Sequence, residues 1–138
     1  MFNINTFVKE GLKNTLLFRN NAGTSHNGPW KQVYPNTVLD RFHVGDFASV
    51  EYTISADYNS DLKEILKVLV TATVDTASVV VYARNSTSFE LIDIDAEVNE
   101  SYVDVIVNPV NSDDSTPFAG VKVIYTAQYF HTQNPPTV

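Results

Sequence analysis

The sequence contains no cysteine, which excludes a disulfide framework and a thiolate metal site. Basic residues are also few, because nine lysines and arginines stand against sixteen acidic residues and give a formal net charge of −7. A nucleic-acid partner needs a basic stripe that displaces counterions from phosphates, and anionic membrane surfaces attract basic segments. The charge therefore argues against nucleic-acid and membrane partners, and it favours solubility.

Long apolar runs and targeting signals are missing as well. The longest apolar run is far too short to span a bilayer. The first residues (MFNIN) lack a basic region followed by an apolar run, so we expect no signal peptide and synthesis in the cytoplasm. What the 138 residues do contain is 43% hydrophobic and 18% charged residues, which is the composition of one folded globular domain.

Two strand-like runs stand at the centre of the sequence. In residues 64–73, alternate positions share one face: Glu64, Leu66, Val68, Val70 and Ala72. Residues 78–84 (SVVVYAR) are mostly β-branched or aromatic, which suits a pleated, half-buried surface. A period of two sends alternate side chains to opposite faces of a strand. The two runs and the short segment between them predict a central antiparallel hairpin.

Further strand-like runs occur before and after this hairpin. They predict strands at residues 38–42, 47–55, 89–94, 102–108 and 120–130. Tyr52, Tyr125 and Tyr129 are in phase with the buried face, whereas Tyr82 and Tyr102 are out of phase and point to the surface. Strands repeated at intervals of about 8–12 residues are typical of a β-sandwich. We predict an all-β, antiparallel sandwich of the Ig-like or jelly-roll-like kind, with a closed β-barrel as the alternative.

The beginning of the sequence follows a different pattern. Residues 1–37 show no sustained period, and the dense turn formers of residues 20–29 predict an exposed loop that ends at Trp30. We therefore divide the chain into an N-terminal arm (residues 1–37), a β-sandwich domain (residues 38–130) and a flexible C-terminal tail (residues 131–138).

The arm carries the candidate contact residues. Trp30 is predicted either to anchor the arm on the edge of the sandwich or to contact a neighbouring subunit, because exposed aromatic residues often become interface hot spots. The predicted interface residues, each of which can instead belong to the core, are Phe7, Leu17, Phe18, Trp30 and Tyr34.

No grouping of residues predicts catalysis. Residues 57–61 open like a calcium loop, but Leu62 stands where that loop needs glycine and Val68 where it needs glutamate. No serine lies in a Gly-x-Ser-x-Gly turn, and no glycine-rich phosphate loop is present. The histidines have no metal-ligand spacing: His26, His43 and His131. We predict no catalytic, cofactor-binding or metal-binding residue, and a protein that is not an enzyme.

The tyrosines leave a second function open. A sugar-binding sandwich presents exposed aromatic side chains, and tyrosine is amphipathic enough for that role. Tyr82 and Tyr102 have the required outward phase. Core or interface is the favoured interpretation for all seven tyrosines, and a carbohydrate-binding or host-adhesion module remains the alternative.

Several strand segments together resemble a β-sandwich module that recurs in virion structural proteins of tailed phages, especially cyanophages and other marine phages. The resemblance covers residues 38–130, about two-thirds of the chain. It rests on residues 40–54 (DRFHVGDFASVEYTI), 63–70 (KEILKVLV), 77–84 (ASVVVYAR), 102–109 (YVDVIVNP) and 120–123 (GVKV).

This resemblance implies a location and a set of partners. Proteins with the module are β-sandwiches without catalysis that build or decorate the virion. We therefore expect a non-enzymatic virion structural protein (capsid decoration, neck, tail or baseplate) that binds other virion proteins and forms a homo-oligomer in the particle. The alternative is a carbohydrate-binding or host-adhesion module of a phage fiber. The resemblance implies no cofactor, and the 37-residue leader favours a small subunit over a long fiber.

Overall fold

The computed structural model describes residues 23–59, 61–110 and 120–133. Within these ranges the chain forms strands joined by turns and loops, and none of the described residues belongs to a helix that suits a membrane span. The strands are β1 (Gly23–Asn27), β2 (Lys31–Gln32), β3 (Thr37–His43), β4 (Phe47–Tyr58), β5 (Leu62–Ala72), β6 (Ala77–Ser86), β7 (Ile92–Asn99), β8 (Tyr102–Pro109) and β9 (Lys122–His131).

The strands form two antiparallel sheets. The larger sheet has the order β1-β9-β4-β5-β6, and β2 also pairs with β9. The smaller sheet has the order β3-β8-β7. The inner faces of the two sheets share one core, and the described residues form no closed barrel, so the predicted β-sandwich is confirmed.

The central hairpin is confirmed as β5 and β6. Strand β5 alternates between buried and exposed side chains, with Leu66, Val68 and Val70 almost fully buried. Strand β6 pairs with β5 from Ala72↔Ala77 onward, with one irregularity between Lys67 and Val68. The hairpin was predictable because its residues alternate with a period of two, so that inward positions fill the core and outward positions face solvent.

The other predicted strands also form, with small changes at their ends. Tyr52, Tyr125 and Tyr129 are buried and Tyr82 and Tyr102 are half-exposed, as their phase predicts. The strand expected over residues 89–94 begins only at Ile92, because residues 87–91 cross from one sheet to the other. The last strand extends to His131, where the predicted tail was expected to begin.

The prediction of an exposed loop over residues 20–29 is wrong for residues 23–27. Gly23–Asn27 forms β1, which pairs with β9 from Gly23↔Phe130 to Asn27↔Thr126. Strand pairing uses main-chain groups, so turn-forming side chains do not prevent it where an edge strand offers free N–H and C=O groups. The division of the chain at residues 37 and 130 stays a prediction.

Candidate docking surface

Two exposed aromatic residues flank the short strand β2 at one edge of the larger sheet. The side chain of Trp30 is 51% exposed and that of Tyr34 is 61% exposed. Between them, Lys31 and Gln32 pair with β9, and Val33 is buried in the core. The segment is thus held by backbone pairing and one apolar anchor while both rings remain open to a partner.

A close backbone approach places Trp30 at this edge. The N–H of Gly28 donates to the carbonyl oxygen of Tyr125 at 2.9 Å. A Cβ atom at position 28 would overlap the ring of Tyr125, so only glycine fits here. The chain then leaves β9 through Pro29 and Trp30 and returns to it at Lys31.

A tight turn holds Tyr34 in its exposed position. The N–H of Tyr34 donates to Oγ1 of Thr37 at 2.8 Å, and the N–H of Thr37 donates to the carbonyl of Tyr34 at 3.1 Å. Asn36 adopts a φ of 61°, in the left-handed region that asparagine tolerates. Its N–H donates to Oδ1 of Asn108 at 2.6 Å, which ties the turn to the smaller sheet.

Trp30 also lines a shallow cleft of about 520 Å³ at the same end of the larger sheet. The other lining residues are Asp57, Asn59, Gly120 and Lys122. Asp57 lies opposite Lys122 across β4 and β9, and its carboxylate is 3.2 Å from the ammonium of Lys63. An indole face beside a carboxylate, an amide and an ammonium group can stack on a sugar ring and hydrogen-bond its hydroxyls.

Glu64 forms the most buried polar cluster of the described residues. Its side chain faces the core, and both carboxylate oxygens are occupied. Oε1 accepts from the N–H groups of Leu91 and Ile92 at 3.0 and 3.2 Å. Oε2 accepts from the guanidinium of Arg84 at 2.7 Å and from the hydroxyl of Ser86 at 2.6 Å. The carboxylate therefore joins β5 to β6 and to the loop before β7, which is a structural role.

Asp40 forms a second cluster on the other half of the sandwich. Its Oδ2 accepts from the hydroxyls of Tyr52 and Tyr129 at 2.8 and 2.7 Å, which joins β3 to β4 and β9. Burial raises the pKa of both tyrosines above the ordinary value, and the nearby Asp40 carboxylate raises it further. Both hydroxyls therefore stay protonated as donors.

The predicted interface residues fall into two groups. Trp30 and Tyr34 are both exposed, one before and one after β2, whereas Phe7, Leu17 and Phe18 lie outside the described residues. Asp57 and Asn59 were not predicted as neighbours of Trp30, although the polar stretch that contains them was noted as calcium-like.

The histidines lie apart from one another. His43 accepts from the N–H of Gly45 at 2.9 Å and contacts Tyr102 edge-on, with ring centroids 4.9 Å apart. His26 lies beside Tyr125, and His131 lies beside Phe47. Within the ranges that the structure describes, no three metal-ligating side chains come together.

Comparisons with known proteins show similarity of fold. No protein-family model matches the sequence, and no curated protein matches it. The tailspike protein of Acinetobacter baumannii phage AM24 is structurally similar, with a TM-score of 0.51 and 10% identity over 82% of this chain. The tailspike of Acinetobacter phage vB_ApiP_P1 gives a TM-score of 0.43 and 10% identity over 76% of this chain. The similar regions span only 27% and 22% of those tailspikes.

Proposed function

We propose that the chain is a non-enzymatic structural protein of a tailed-phage virion and that it docks onto a larger assembly through Trp30 and Tyr34. The observation that carries the docking role is the exposure of both rings on a segment fixed by pairing to β9. Aromatic side chains that already lie in fixed positions lose little conformational entropy when a partner covers them. The fold shared with part of a phage tailspike supports the location in a virion.

The chemistry of the two carboxylate clusters supports the absence of catalysis. A general base needs a free lone pair within reach of the proton that it abstracts. The Glu64 carboxylate already accepts hydrogen bonds from Arg84 and from the N–H of Leu91. The Asp40 carboxylate accepts from the hydroxyls of Tyr52 and Tyr129. Both carboxylates are used to join strands, as is the buried carboxylate of Asp104 in β8, which accepts two hydrogen bonds from the guanidinium of Arg41 in β3.

The test is the amount of this chain in purified phage particles. A phage that encodes the chain is propagated with Trp30→Ser and Tyr34→Ser combined, and the chain is quantified in the particles by mass spectrometry. We expect the wild-type chain in the particles and a large loss of the double variant. The control is Val74→Ser, which removes an exposed apolar residue from the turn between β5 and β6.

Two results would contradict the proposal at different steps. Absence of the wild-type chain from the particles contradicts the virion location. Equal incorporation of the double variant and the control variant contradicts docking through Trp30 and Tyr34.

Carbohydrate binding is the second candidate function, and the cleft beside Trp30 favours it. Trp30 is the only tryptophan of the chain, so its fluorescence reports directly on a ligand in this cleft. We expect a bound oligosaccharide from a glycan array to change that fluorescence, and Asp57→Ala to abolish the change. Asp57→Ala is expected to leave virion docking intact, whereas Tyr34→Ser is expected to weaken docking and to leave the fluorescence change intact, so the two functions are separable.

A further inference from the structure

Strand β6 presents an unprotected edge on the side of the sandwich opposite to β1 and β2. In the part of the chain that the structure describes, β6 pairs with β5 alone, and its other side offers a row of backbone N–H and C=O groups. Such an edge is a template for another strand unless charges, proline or short length block it. At ten residues, β6 is long enough for pairing.

Strand β6 lacks the residues that usually protect an edge strand from pairing with another strand. The strand (ASVVVYARNS) contains no lysine, proline or acidic residue. Its one charge, Arg84, turns inward, with its guanidinium 2.7 Å from the buried carboxylate of Glu64. The described edges elsewhere differ, because β7 carries Asp93, Asp95 and Glu97 on its exposed face, and β3 carries Arg41, whose side chain is 58% exposed.

An apolar row continues from this edge onto the outer face of the larger sheet. Val80 is 52% exposed and lies opposite Leu69 of β5, which is 43% exposed. Tyr82 lies over the same face, and its hydroxyl donates to the carboxylate of Glu51 at 2.8 Å. The inward side chains of the strand, Val79 and Val81, pack against the core. Around the three valines, residues 79–81, both faces of the edge are therefore apolar.

We infer that two copies of this chain pair through β6 around a two-fold axis at Val80 and form one continuous antiparallel sheet. The run of three valines is centred on Val80, so this register places Val80 opposite itself and Val79 opposite Val81 of the second copy. The outer face then carries an unbroken row in which two leucines flank two valines. Cross-strand pairs of β-branched residues stabilise such a seam.

The distribution of charge favours a second copy of this chain as the partner of the β6 edge. In the proposed register the seam is formed by residues 77–83 of both copies, which carry no charge, so no like charges meet. Pairing β7 with itself would bring Asp93, Asp95 and Glu97 close to the same residues of another copy, which is unfavourable. The net charge of −7 disfavours contacts between copies through acidic surfaces, and the central residues of the β6 edge carry none of that charge.

The test is the solution mass of the full chain by light scattering over a dilution series from micromolar to millimolar. The wild-type chain is expected to shift from the mass of one 15.4 kDa chain to that of two. Because residue 80 faces itself, Val80→Lys and Val80→Glu each place like charges at the axis. Each is expected to raise the dimer dissociation constant about tenfold or more. An equimolar mixture of the two variants restores the dimer as a heterodimer.

The control and the contradicting outcomes are specific to this register. Thr126→Lys adds the same charge to the outer face of β9, away from β6, and leaves the dimer unchanged. A wild-type chain that stays monomeric throughout overturns the proposal, as does a trimer, since a two-fold seam uses the only β6 edge of each copy. Single variants that still dimerise, or a mixture that does not, overturn it as well.

Discussion

On each of the two sides of this sandwich a carboxylate joins the two sheets, but the surfaces of the two sides differ in chemistry. On one side, Glu64 joins β5 to β6 and to the loop before β7 through an ion pair and backbone N–H groups. On the other, Asp40 joins β3 to β4 and β9 through two tyrosine hydroxyls. Each carboxylate ties the two sheets together where the core ends.

Outside these clusters the two sides differ. The Glu64 side ends in the uncharged edge of β6 beside the acidic edge of β7. The Asp40 side ends in the interrupted edge of β1 and β2, with Trp30 and Tyr34 exposed. An interrupted edge is a poor template for strand addition but a good platform for aromatic contacts, whereas a regular edge is suited to backbone pairing. The difference predicts side-chain docking on one side and self-pairing on the other.

The largest effect is expected from Glu64→Ala. Removing the carboxylate leaves Arg84 without its nearest partner and two buried N–H groups unpaired, which lowers the free energy of unfolding by about 3–5 kcal/mol. Urea denaturation measures the loss. Asp75→Ala, which removes an exposed carboxylate from the turn between β5 and β6, is the control and is expected to change little. Equal losses in both variants would mean that the Glu64 cluster does not hold this side together.

Asp40→Ala tests the other side and is expected to cost less. It leaves the hydroxyls of Tyr52 and Tyr129 without their acceptor, but Asp40 is only half-buried, so water replaces part of the interaction. The free energy of unfolding should fall by about 1–3 kcal/mol in the same denaturation experiment. Asp46→Ala removes an exposed carboxylate near the end of β3 and serves as the control. A loss larger than that of Glu64→Ala would reverse the order of the two sides.

Alkaline pH distinguishes the two clusters without mutation of either carboxylate. The pKa of Tyr52 and of Tyr129 is raised in the folded state, first by burial and then by Asp40, so the unfolded chain releases these protons at a lower pH. The stabilisation is fully present below the unfolded pKa of about 10 and is lost as the pH rises above it. Each tyrosine contributes a slope of about −1.4 kcal/mol per pH unit in that range.

The measurement is the free energy of unfolding from pH 8 upward for the wild type and for Tyr129→Phe. The variant is expected to be less sensitive to alkali by the slope of one tyrosine. Identical slopes above the unfolded pKa would show that the buried hydroxyl does not resist ionisation, which contradicts the Asp40 cluster as described.

The smallest effect on stability, with the clearest effect on association, is expected from neutralising β7. Combining Asp93→Asn, Asp95→Asn and Glu97→Gln removes exposed charges from the edge beside β6 and costs only the weak contact of Asp93 with the guanidinium of Arg84, at 3.9 Å. The variant should unfold like the wild type but form assemblies larger than a dimer, because its second edge is no longer protected. Light scattering detects them. Neutralising Asp46, Asp75 and Glu100 instead is the charge-matched control, and similar association in both would assign the effect to net charge.

Much of the fold follows from local alternation in the sequence. The inward phase of Leu66, Val68 and Val70, and the burial of Tyr52, were predictable because a period of two leaves little choice of face once one side is apolar. Even the inward direction of Glu64 followed from its phase. Its partners did not, because Leu91 and Ile92 lie more than 25 residues away and pairing at that distance leaves no local pattern.

The features that the sequence did not predict also depend on contacts between residues distant in the sequence. Strand β1 forms in a stretch of turn formers because β9 supplies the backbone partners. The side chains of β1 show no strand pattern that would predict this pairing. The cleft beside Trp30 brings together residues from β4, the β4–β5 turn and the start of β9. For Trp30 two roles were predicted, an anchor on the sandwich edge or a contact with a neighbouring subunit, because an aromatic residue after a loop fits both, and its role stays a prediction.

Hydrogen exchange on the full chain at low and high concentration tests most directly whether the two sides have different binding roles. Self-pairing through β6 predicts that the amides of residues 77–83 gain protection as the concentration rises, while those of Trp30 to Tyr34 and of β7 do not change. Protection that appears around Trp30 and Tyr34 or along β7, with β6 unchanged, would contradict the assignment of the two sides.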